Sequence, residues 1–188
     1  VLFRSVRFAA LPWAALKACQ QLQWAPDIVH CNDWQTALAP LALKTLLAWD
    51  RLFQRTRTVL TIHNIGYQGS FGAEGLADTG FAEVVQHFHQ EQLREGRVNP
   101  LLTGILYADA ITTVSPTYAR EICTPAHGVG LDAFLRMRHD VLRGVLNGID
   151  EEEWSPERDA RIPHRYGPDD LAGKERNKEA LCRALQIG

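Results

Sequence analysis

The sequence predicts an α/β fold: a parallel β-sheet with helices on both of its faces. Short β-branched runs, such as residues 58–62, alternate along the chain with longer segments whose apolar residues recur at helical spacing. Polar clusters follow directly after several of these runs. Strands separated by helices are joined by right-handed crossovers, which make neighbouring strands parallel. We therefore expect ligand-binding groups at the carboxyl ends of the strands.

The first third of the chain contains two predicted helices and two predicted strands. Apolar spacing predicts an amphipathic helix over residues 8–22, in which Pro12 is tolerable only near the first turn. Residues 27–31 are typical of a short buried strand. The Leu- and Ala-rich residues 35–52 predict a second helix, and residues 58–62 predict the clearest strand of the chain.

The rest of the chain continues this alternation. Asn99-Pro100 separates two helical segments, and Ser115-Pro116 supplies the residue types that favour an N-cap and a first helical position. The predicted helices are residues 81–94, residues 100–107, a segment that begins at Ser115, and residues 171–185. The predicted strands are residues 109–114 and 141–146, and the charged residues 151–170 predict a linker.

Composition excludes several classes of protein. The chain has 188 residues, of which 46% are hydrophobic and 22% charged, so it can bury a core and is not disordered. A net charge of −2 provides no basic excess for a nucleic-acid partner. No apolar run approaches the roughly 20 residues of a membrane helix. The four cysteines are scattered, which predicts neither a disulfide framework nor a metal site.

Polar clusters at three predicted strand ends are the candidate site: residues 30–34, 63–68 and 147–150. Asp33 can hold sugar hydroxyls, but it can equally be a simple N-cap of the following helix. His63 can bind a ligand or act as an acid or base, but it can equally bond a backbone carbonyl in a structural role. The residues alone leave both alternatives open.

Three familiar motifs of nucleotide sites and hydrolases are absent from the sequence. No G-x-G-x-x-G follows a strand and no G-x-x-x-x-G-K-[ST] occurs, so a dinucleotide site or a P-loop is not indicated. Ser115 lacks the G-x-S-x-G context of a nucleophilic serine. A hydrolase with a catalytic triad is therefore not indicated either.

Five segments together resemble the bacterial and plant glycogen or starch synthases, which transfer glucose from ADP-glucose. They cover nearly all of the chain from Arg7 onward, in the family's order and approximate spacing. The segments are PDIVHCNDWQTALAPLALK at 26–44, TIHNIGYQGSF at 61–71, ADAITTVSPTYAREICTP at 108–125, VLNGIDEEEWSPERD at 145–159 and LAGKERNKEALCRALQIG at 171–188.

The resemblance implies a GT-B glycosyltransferase, in which two Rossmann-like domains face each other across a cleft. The implied reaction is glucosyl transfer from ADP-glucose to an α-1,4-glucan, with retention of configuration and without a metal or other cofactor. This chain is expected to be the N-terminal, acceptor-side domain, truncated at both ends and inactive alone. Two alternatives remain open: a non-catalytic glucan-binding module and a different GT-B nucleotide-sugar glucosyltransferase.

The resemblance also implies roles for seven residues at the strand ends. His63 is expected to contact the transferred glucose and, with Asp33, to take part in catalysis. The other five are expected to bind the glucosyl unit or the acceptor glucan. They are Trp34, Asn64, Tyr67, Gln68 and Asn147.

The sequence also predicts the bounds of the domains, two departures from the family pattern and the cellular location of the protein. Residues 6–150 are expected to be the catalytic domain, residues 151–188 a linker and helix towards a second domain, and residues 1–5 a non-native leader. Thr103 and Val129 lie in stretches that depart from the family's usual wording and bear on acceptor contacts. The expected location is a bacterial cytoplasm, or a plastid if the source is a plant.

Overall fold

A four-stranded parallel sheet forms the centre of the structure, a computed structural model that describes residues 2–187. The strands are β1 (Ile28–Asn32), β2 (Arg57–Ile62), β5 (Ala110–Thr113) and β6 (Leu142–Gly144), in the spatial order β1-β2-β5-β6. All three pairings are parallel. The predicted parallel α/β fold is therefore confirmed.

Two further strands form a small antiparallel ribbon. They are β3 (Phe71–Gly72) and β4 (Arg97–Val98), and Ala73 N–H extends the pairing by donating to the Gly96 carbonyl at 2.9 Å. Strands of two residues are too short to show the alternation that sequence patterns detect. The sequence therefore did not predict this ribbon.

Eight α-helices accompany the strands within the described residues. They are α1 (Leu2–Gln21), α2 (Asp33–Thr36), α3 (Ala39–Lys44), α4 (Gln90–Arg94), α5 (Pro100–Tyr107), α6 (Pro116–Glu121), α7 (Asp132–Met137) and α8 (Ala172–Leu185). Three 3₁₀ segments cover Arg51–Phe53, Ala73–Thr79 and Ala82–His87. Chain contacts divide the structure into a larger unit that ends at Leu146 and a smaller one that begins at Asn147.

Alternation along the strands decides which sheet face is the core. Leu60, Ile62 and Ile111 are fully buried on one face, together with α5 residues such as Leu101. On β2 the intervening side chains are partly exposed or exposed, as the period of two requires. Burying apolar side chains of this size contributes about 1.5–3 kcal/mol each, so this face dominates the stability of the larger unit.

The predicted helix over residues 35–52 is wrong in its length. The structure breaks it into α2, α3 and the 3₁₀ segment Arg51–Phe53. Pro40 lies in the first turn of α3, and the Thr45 hydroxyl donates to the Leu41 carbonyl at 2.7 Å where that helix ends. The many Leu and Ala residues of this segment are explained by burial as much as by helix propensity, because α3 packs deep in the core.

Two other predicted helices differ from the structure. Residues 81–94 are interrupted at Phe88, which is extended and buries its ring against Phe81 at a centroid distance of 6.2 Å. α1 begins at Leu2, so Pro12 lies in its interior rather than near its first turn. Packing of buried residues such as Leu16 holds α1 together despite the missing proline N–H. Of the predicted leader, residue 1 lies outside the described residues and residues 2–5 form the start of α1. Its non-native origin stays a prediction.

The smaller unit contains α8 and an irregular segment before it. The Asn177 side chain on α8 makes two hydrogen bonds with the His164 backbone: Oδ1 accepts the His164 N–H at 2.9 Å, and Nδ2 donates to the His164 carbonyl at 2.6 Å. This two-way bond ties the irregular segment to the helix. Most of α8 is exposed, whereas its Gly173 is buried.

Asp109 joins β2 to the turn before β5. Its carboxylate accepts Thr58 N–H at 2.7 Å, the Thr58 hydroxyl at 2.9 Å and Lys44 Nζ at 2.8 Å. Burial by itself raises the pKa of Asp109, but the bonds from Lys44 and Thr58 outweigh it, and the pKa lies below its ordinary value. The folded state therefore prefers the ionised carboxylate.

Replacing Asp109 by asparagine is expected to lower the free energy of unfolding by about 1–2 kcal/mol at neutral pH, because charged hydrogen bonds are lost. A lowered folded-state pKa stabilises the protein above the unfolded value, and this contribution disappears as the pH falls through the folded pKa. The difference from the unchanged protein should therefore narrow below about pH 4. Urea unfolding at several pH values measures it, with the exposed Asp140→Asn as control; a pH-independent difference would contradict the explanation.

Candidate active site

Polar side chains meet where β1 and β2 end. The register pairs Asn32 at the end of β1 with Thr61 near the end of β2, so Asp33 and His63 follow neighbouring strands at the same edge of the sheet. This is the carboxyl edge, where parallel α/β sheets bind ligands. The structure thus brings together the first two of the three predicted clusters.

Asp33 links the two strand ends through its carboxylate. Its Oδ1 accepts His63 N–H at 2.7 Å and Asn64 N–H at 3.4 Å. The residue before α2 is Asn32, and Asp33 is the first residue of that helix with a φ of +52°. The alternative that Asp33 simply caps the helix is therefore wrong. Left-handed backbone in a non-glycine residue is uncommon and concentrates at functional sites.

The His63 ring is held in place by Asn32. Its Nε2 lies 3.0 Å from Asn32 Oδ1, and because an amide oxygen only accepts, Nε2 carries the proton in this arrangement. The lone pair is then on Nδ1. His63 is exposed, so its ring remains accessible to a ligand.

The loop after His63 is fixed by two hydrogen bonds. The Asn64 Oδ1 accepts Gly66 N–H at 2.9 Å and closes a tight turn. The Tyr118 hydroxyl on α6 accepts Ile65 N–H at 3.1 Å. Asn64 therefore uses its carbonyl oxygen locally and keeps its amide N–H groups available on an exposed residue.

Trp34 forms one wall beside this edge. Its ring contacts Phe8 of α1 in an edge-to-face arrangement at 4.7 Å. Gly69 also lies against the ring: its φ is +70°, and an added Cβ would lie 2.1 Å from Trp34 Cε3. The indole is thus positioned between α1 and the loop, and it is partly rather than fully buried.

Tyr67 and Gln68 have different environments. Tyr67 is 68% exposed and presents its ring to solvent. The Gln68 side chain donates to the Val129 carbonyl at 2.9 Å and accepts from Asn99 Nδ2 at 2.6 Å. Gln68 therefore holds loops together, while Tyr67 is free to contact a ligand.

The remaining predicted residues lie elsewhere. Asn147 is the first residue of the smaller unit, and its role stays a prediction. Thr103 is buried and donates its hydroxyl to the Asn99 carbonyl at 3.0 Å, so it supports α5 and cannot contact an acceptor. Val129 is exposed and lies beside Gln68.

Three residues support the site although the sequence predicted no individual role for them, and one of the three, Asn32, lies in the predicted 30–34 cluster. Asn32 orients His63, Tyr118 fixes the following loop, and Asn99 anchors Gln68. Of the three, only Asn99 could have been found from local sequence, because Asn followed by Pro is typical of an N-cap and a first helical position. The structure agrees, since Asn99 Oδ1 accepts Leu102 N–H at 3.0 Å. The other two depend on contacts between distant segments.

Cys31, which directly precedes Asn32 on β1, is not a nucleophile. Burial raises its pKa to about 12, against a smaller opposing effect of the Thr36 hydroxyl. The thiol therefore stays protonated at neutral pH. Within the described residues no group of three or more His, Cys, Asp or Glu side chains is arranged to hold a metal ion. The described part also has no helix long and apolar enough to span a membrane.

A parallel α/β unit with a rigid polar site beyond two adjacent strands is typical of ligand-binding domains of α/β enzymes. A sequence profile described as "Starch synthase catalytic domain" matches residues 4–137. The chain belongs to this family of starch synthase catalytic domains.

Individual relatives agree with the family. A glycogen synthase from Thermodesulfovibrio yellowstonii is 48% identical over 182 residues, which covers 96% of this chain and 36% of the relative. One from an Anaeromyxobacter species is 50% identical over 186 residues, covering 96% of this chain and 38% of the relative. The chain thus spans little more than a third of the length of these relatives.

A solved structure resembles the chain over nearly its whole length. It is the catalytic domain of starch synthase IV from Arabidopsis thaliana, described as bound to ADP and acarbose. The TM-score is 0.74 at 36% identity, and the match covers 98% of this chain and 38% of that structure.

Proposed function

We propose that this chain is the acceptor-side part of an ADP-glucose-dependent glucan synthase, which adds glucose to the non-reducing end of an α-1,4-glucan and retains the anomeric configuration. The observation that carries the proposal is the bond from His63 N–H to the Asp33 carboxylate, which joins two strand ends at the ligand-binding edge of the sheet. Membership of the starch synthase family and the names of the relatives support it.

The residues at this edge suit a sugar whose anomeric carbon becomes positively charged. A retaining transfer passes through an oxocarbenium-like state, which fixed dipoles and negative groups stabilise better than mobile water does. Asp33 supplies a carboxylate held by two backbone N–H groups, and His63 supplies an oriented imidazole for a sugar hydroxyl. Trp34 and Tyr67 offer aromatic faces for the glucosyl and acceptor rings.

Amides and a second domain complete the proposed enzyme. Asn64 offers N–H donors to the sugar, and we assign the same role to Asn147. The leaving diphosphate needs cationic side chains, which we place in a C-terminal GT-B domain outside this chain, and we propose that no metal or cofactor is required. The 188-residue chain alone is therefore inactive. Because the two glycogen synthases of similar sequence come from bacteria, we propose the cytoplasm as its location.

The test is glucosyl transfer by the full-length protein that contains this chain. Radiolabelled ADP-glucose or UDP-glucose is supplied with glycogen, and label in precipitated glucan is counted. We expect transfer from ADP-glucose and none by the 188-residue chain alone. Transfer only from UDP-glucose would reject the donor but keep the reaction class. Glycogen binding without transfer from either donor would identify a glucan-binding module instead.

A further inference from the structure

The hydroxyl of Thr36 bonds to both backbone groups of Asn32. Its Oγ1 accepts the Asn32 N–H at 2.7 Å and donates to the Asn32 carbonyl at 3.0 Å. A hydroxyl has one proton and two lone pairs, so a single Thr36 side chain can make both hydrogen bonds at once. Together they fix the peptide groups on both sides of the Asn32 Cα. We call this pair of hydrogen bonds the Thr36 clamp.

The Thr36 clamp lies where β1 passes directly into α2. β1 ends at Asn32 and α2 begins at Asp33, with no connecting residue between them. An N-cap side chain ordinarily accepts an N–H of the first helical turn, but the Asn32 side chain makes no such bond. The Thr36 hydroxyl at the other end of α2 holds the N-cap residue instead. The Asn32 side chain is thereby left for the His63 ring, whose Nε2 lies 3.0 Å from Asn32 Oδ1.

The residue that follows Asn32 has a strained backbone. Asp33 has a φ of +52°, in the left-handed region, and such backbone persists only where surrounding interactions over-determine it. The Thr36 clamp fixes the residue before Asp33, and the Asp33 carboxylate accepts the N–H groups of His63 and Asn64. Without the Thr36 hydroxyl, Asp33 can relax towards the backbone conformations that L-residues prefer.

Both contacts that hold His63 start from this clamped segment. Asn32 Oδ1 contacts the ring, and Asp33 Oδ1 accepts the backbone N–H at 2.7 Å. The ring and the backbone of His63 therefore depend together on where Asn32 and Asp33 are fixed. Misplacing a reacting group by about 1 Å can lower a rate by about 10²-fold, even when the cause lies away from the chemistry.

We propose that Thr36 is a positioning residue for the reaction centre formed by Asp33 and His63. Its hydroxyl fixes the Asn32 backbone, and through Asn32 and Asp33 it sets the place and orientation of His63. Because Thr36 acts through these residues, it governs the rate of glucosyl transfer rather than the affinity for the acceptor. This inference rests on the proposed function, because it takes Asp33 and His63 to act on the transferred glucose.

The test compares Thr36→Val with Thr36→Ser in the full-length protein that contains this chain. Valine keeps the side-chain volume without the hydroxyl, and serine keeps the hydroxyl without the methyl group. We expect Thr36→Val to lower kcat for transfer from ADP-glucose to glycogen about tenfold to a hundredfold, with the KM for glycogen unchanged. Thr36→Ser should keep most of the activity, because its hydroxyl can form the same clamp. A packing role predicts the opposite order, because serine leaves a cavity where the methyl group stood.

Thr45→Val is the matched control. The Thr45 hydroxyl also donates to the carbonyl four residues earlier, that of Leu41, at 2.7 Å, and Thr45 is half-buried like Thr36. It lies at the C-terminal end of α3 rather than beside Asp33. We expect kcat to stay unchanged in this variant, which separates the loss of a hydroxyl bond within a helix from the loss of the Thr36 clamp.

Amide hydrogen exchange of the same proteins, without donor or acceptor, measures the effect of the Thr36 clamp independently of transfer. We expect the His63 and Asn64 N–H groups to exchange faster in Thr36→Val but not in Thr45→Val, because their acceptor is the Asp33 carboxylate. If Thr36→Val does not fold, Thr36→Ala takes its place in both measurements. A protein that transfers no glucose but shows this faster exchange would reject the reaction and keep the positioning role.

Three results would overturn the inference. The first is unchanged amide exchange in the variant without the hydroxyl, and the second is faster exchange with full kcat. The third is a loss of kcat in Thr36→Ser as large as that in Thr36→Val, which would assign the effect to packing of the methyl group.

Discussion

Replacing His63 by alanine in the full-length enzyme is expected to lower kcat for glucosyl transfer by about a hundredfold or more. The His63 ring is exposed and oriented by Asn32, and the His63 backbone N–H donates to the Asp33 carboxylate. Removing the ring therefore takes an oriented polar group away from the proposed reaction centre. Positioned acid–base or hydrogen-bonding side chains contribute about 10²–10⁴-fold to such reactions. Initial rates with labelled ADP-glucose and glycogen measure the effect.

Stability distinguishes this loss from unfolding. Because the His63 side chain is exposed, the thermal unfolding midpoint of the alanine variant should differ little from that of the unchanged protein. His127→Ala is the matched control, since His127 is an exposed histidine on a loop and its backbone N–H, which the substitution keeps, donates to the Thr124 carbonyl. It should keep full activity. A His63→Ala enzyme with activity within threefold of the unchanged protein would exclude His63 from the reaction.

Replacing Gly69 by alanine is expected to destabilise the protein by about 2–5 kcal/mol and to reduce transfer. Two costs combine at this position. The φ of +70° disfavours any residue with a Cβ by about 1–2 kcal/mol, and the new Cβ would lie 2.1 Å from Trp34 Cε3 and 2.4 Å from Cδ2. Overpacking of this kind costs about 1–3 kcal/mol and must displace the indole. Denaturant unfolding and initial rates measure the two effects.

Gly96→Ala separates the two costs at Gly69. Gly96 has nearly the same φ, +72°, but nothing lies within 4 Å of its added Cβ. Its replacement should therefore cost only the conformational part, about 1–2 kcal/mol, and leave transfer unchanged. If both variants lose the same stability and activity, Trp34 is not held by Gly69 as the structure indicates.

Short-range patterns predicted most of the elements that position the site. The strand before His63 and the helix that starts after Ser115 were predicted from β-branched content and from capping residues, and Ser115 Oγ does accept Tyr118 N–H at 2.9 Å. These features depend on residues that are close in the chain. For the same reason the sequence predicted α5 at residues 100–107.

The partners of the site residues could not be predicted in this way. The carboxylate of an aspartate before a helix can bind a ligand or accept a hydrogen bond as an N-cap, and local sequence favours the N-cap. The structure instead directs Asp33 to His63, because β1 and β2 pair in parallel and bring residues from separate segments together. The same holds for Gln68, whose bonds to Asn99 and Val129 cross three segments.

Local sequence patterns predicted the parallel α/β class, the polar strand ends at Asp33 and His63, and the resemblance to glucan synthases. Periodicity, β-propensity and ordered motifs are properties of neighbouring residues, and they survive without knowledge of the fold. The packed fold was needed to show that the Asp33 carboxylate accepts the His63 N–H, that the Trp34 ring packs against Gly69, and that Gln68 bonds to both Asn99 and Val129. These features depend on the distances between segments remote in the chain, which are set by strand register and core packing rather than by local sequence.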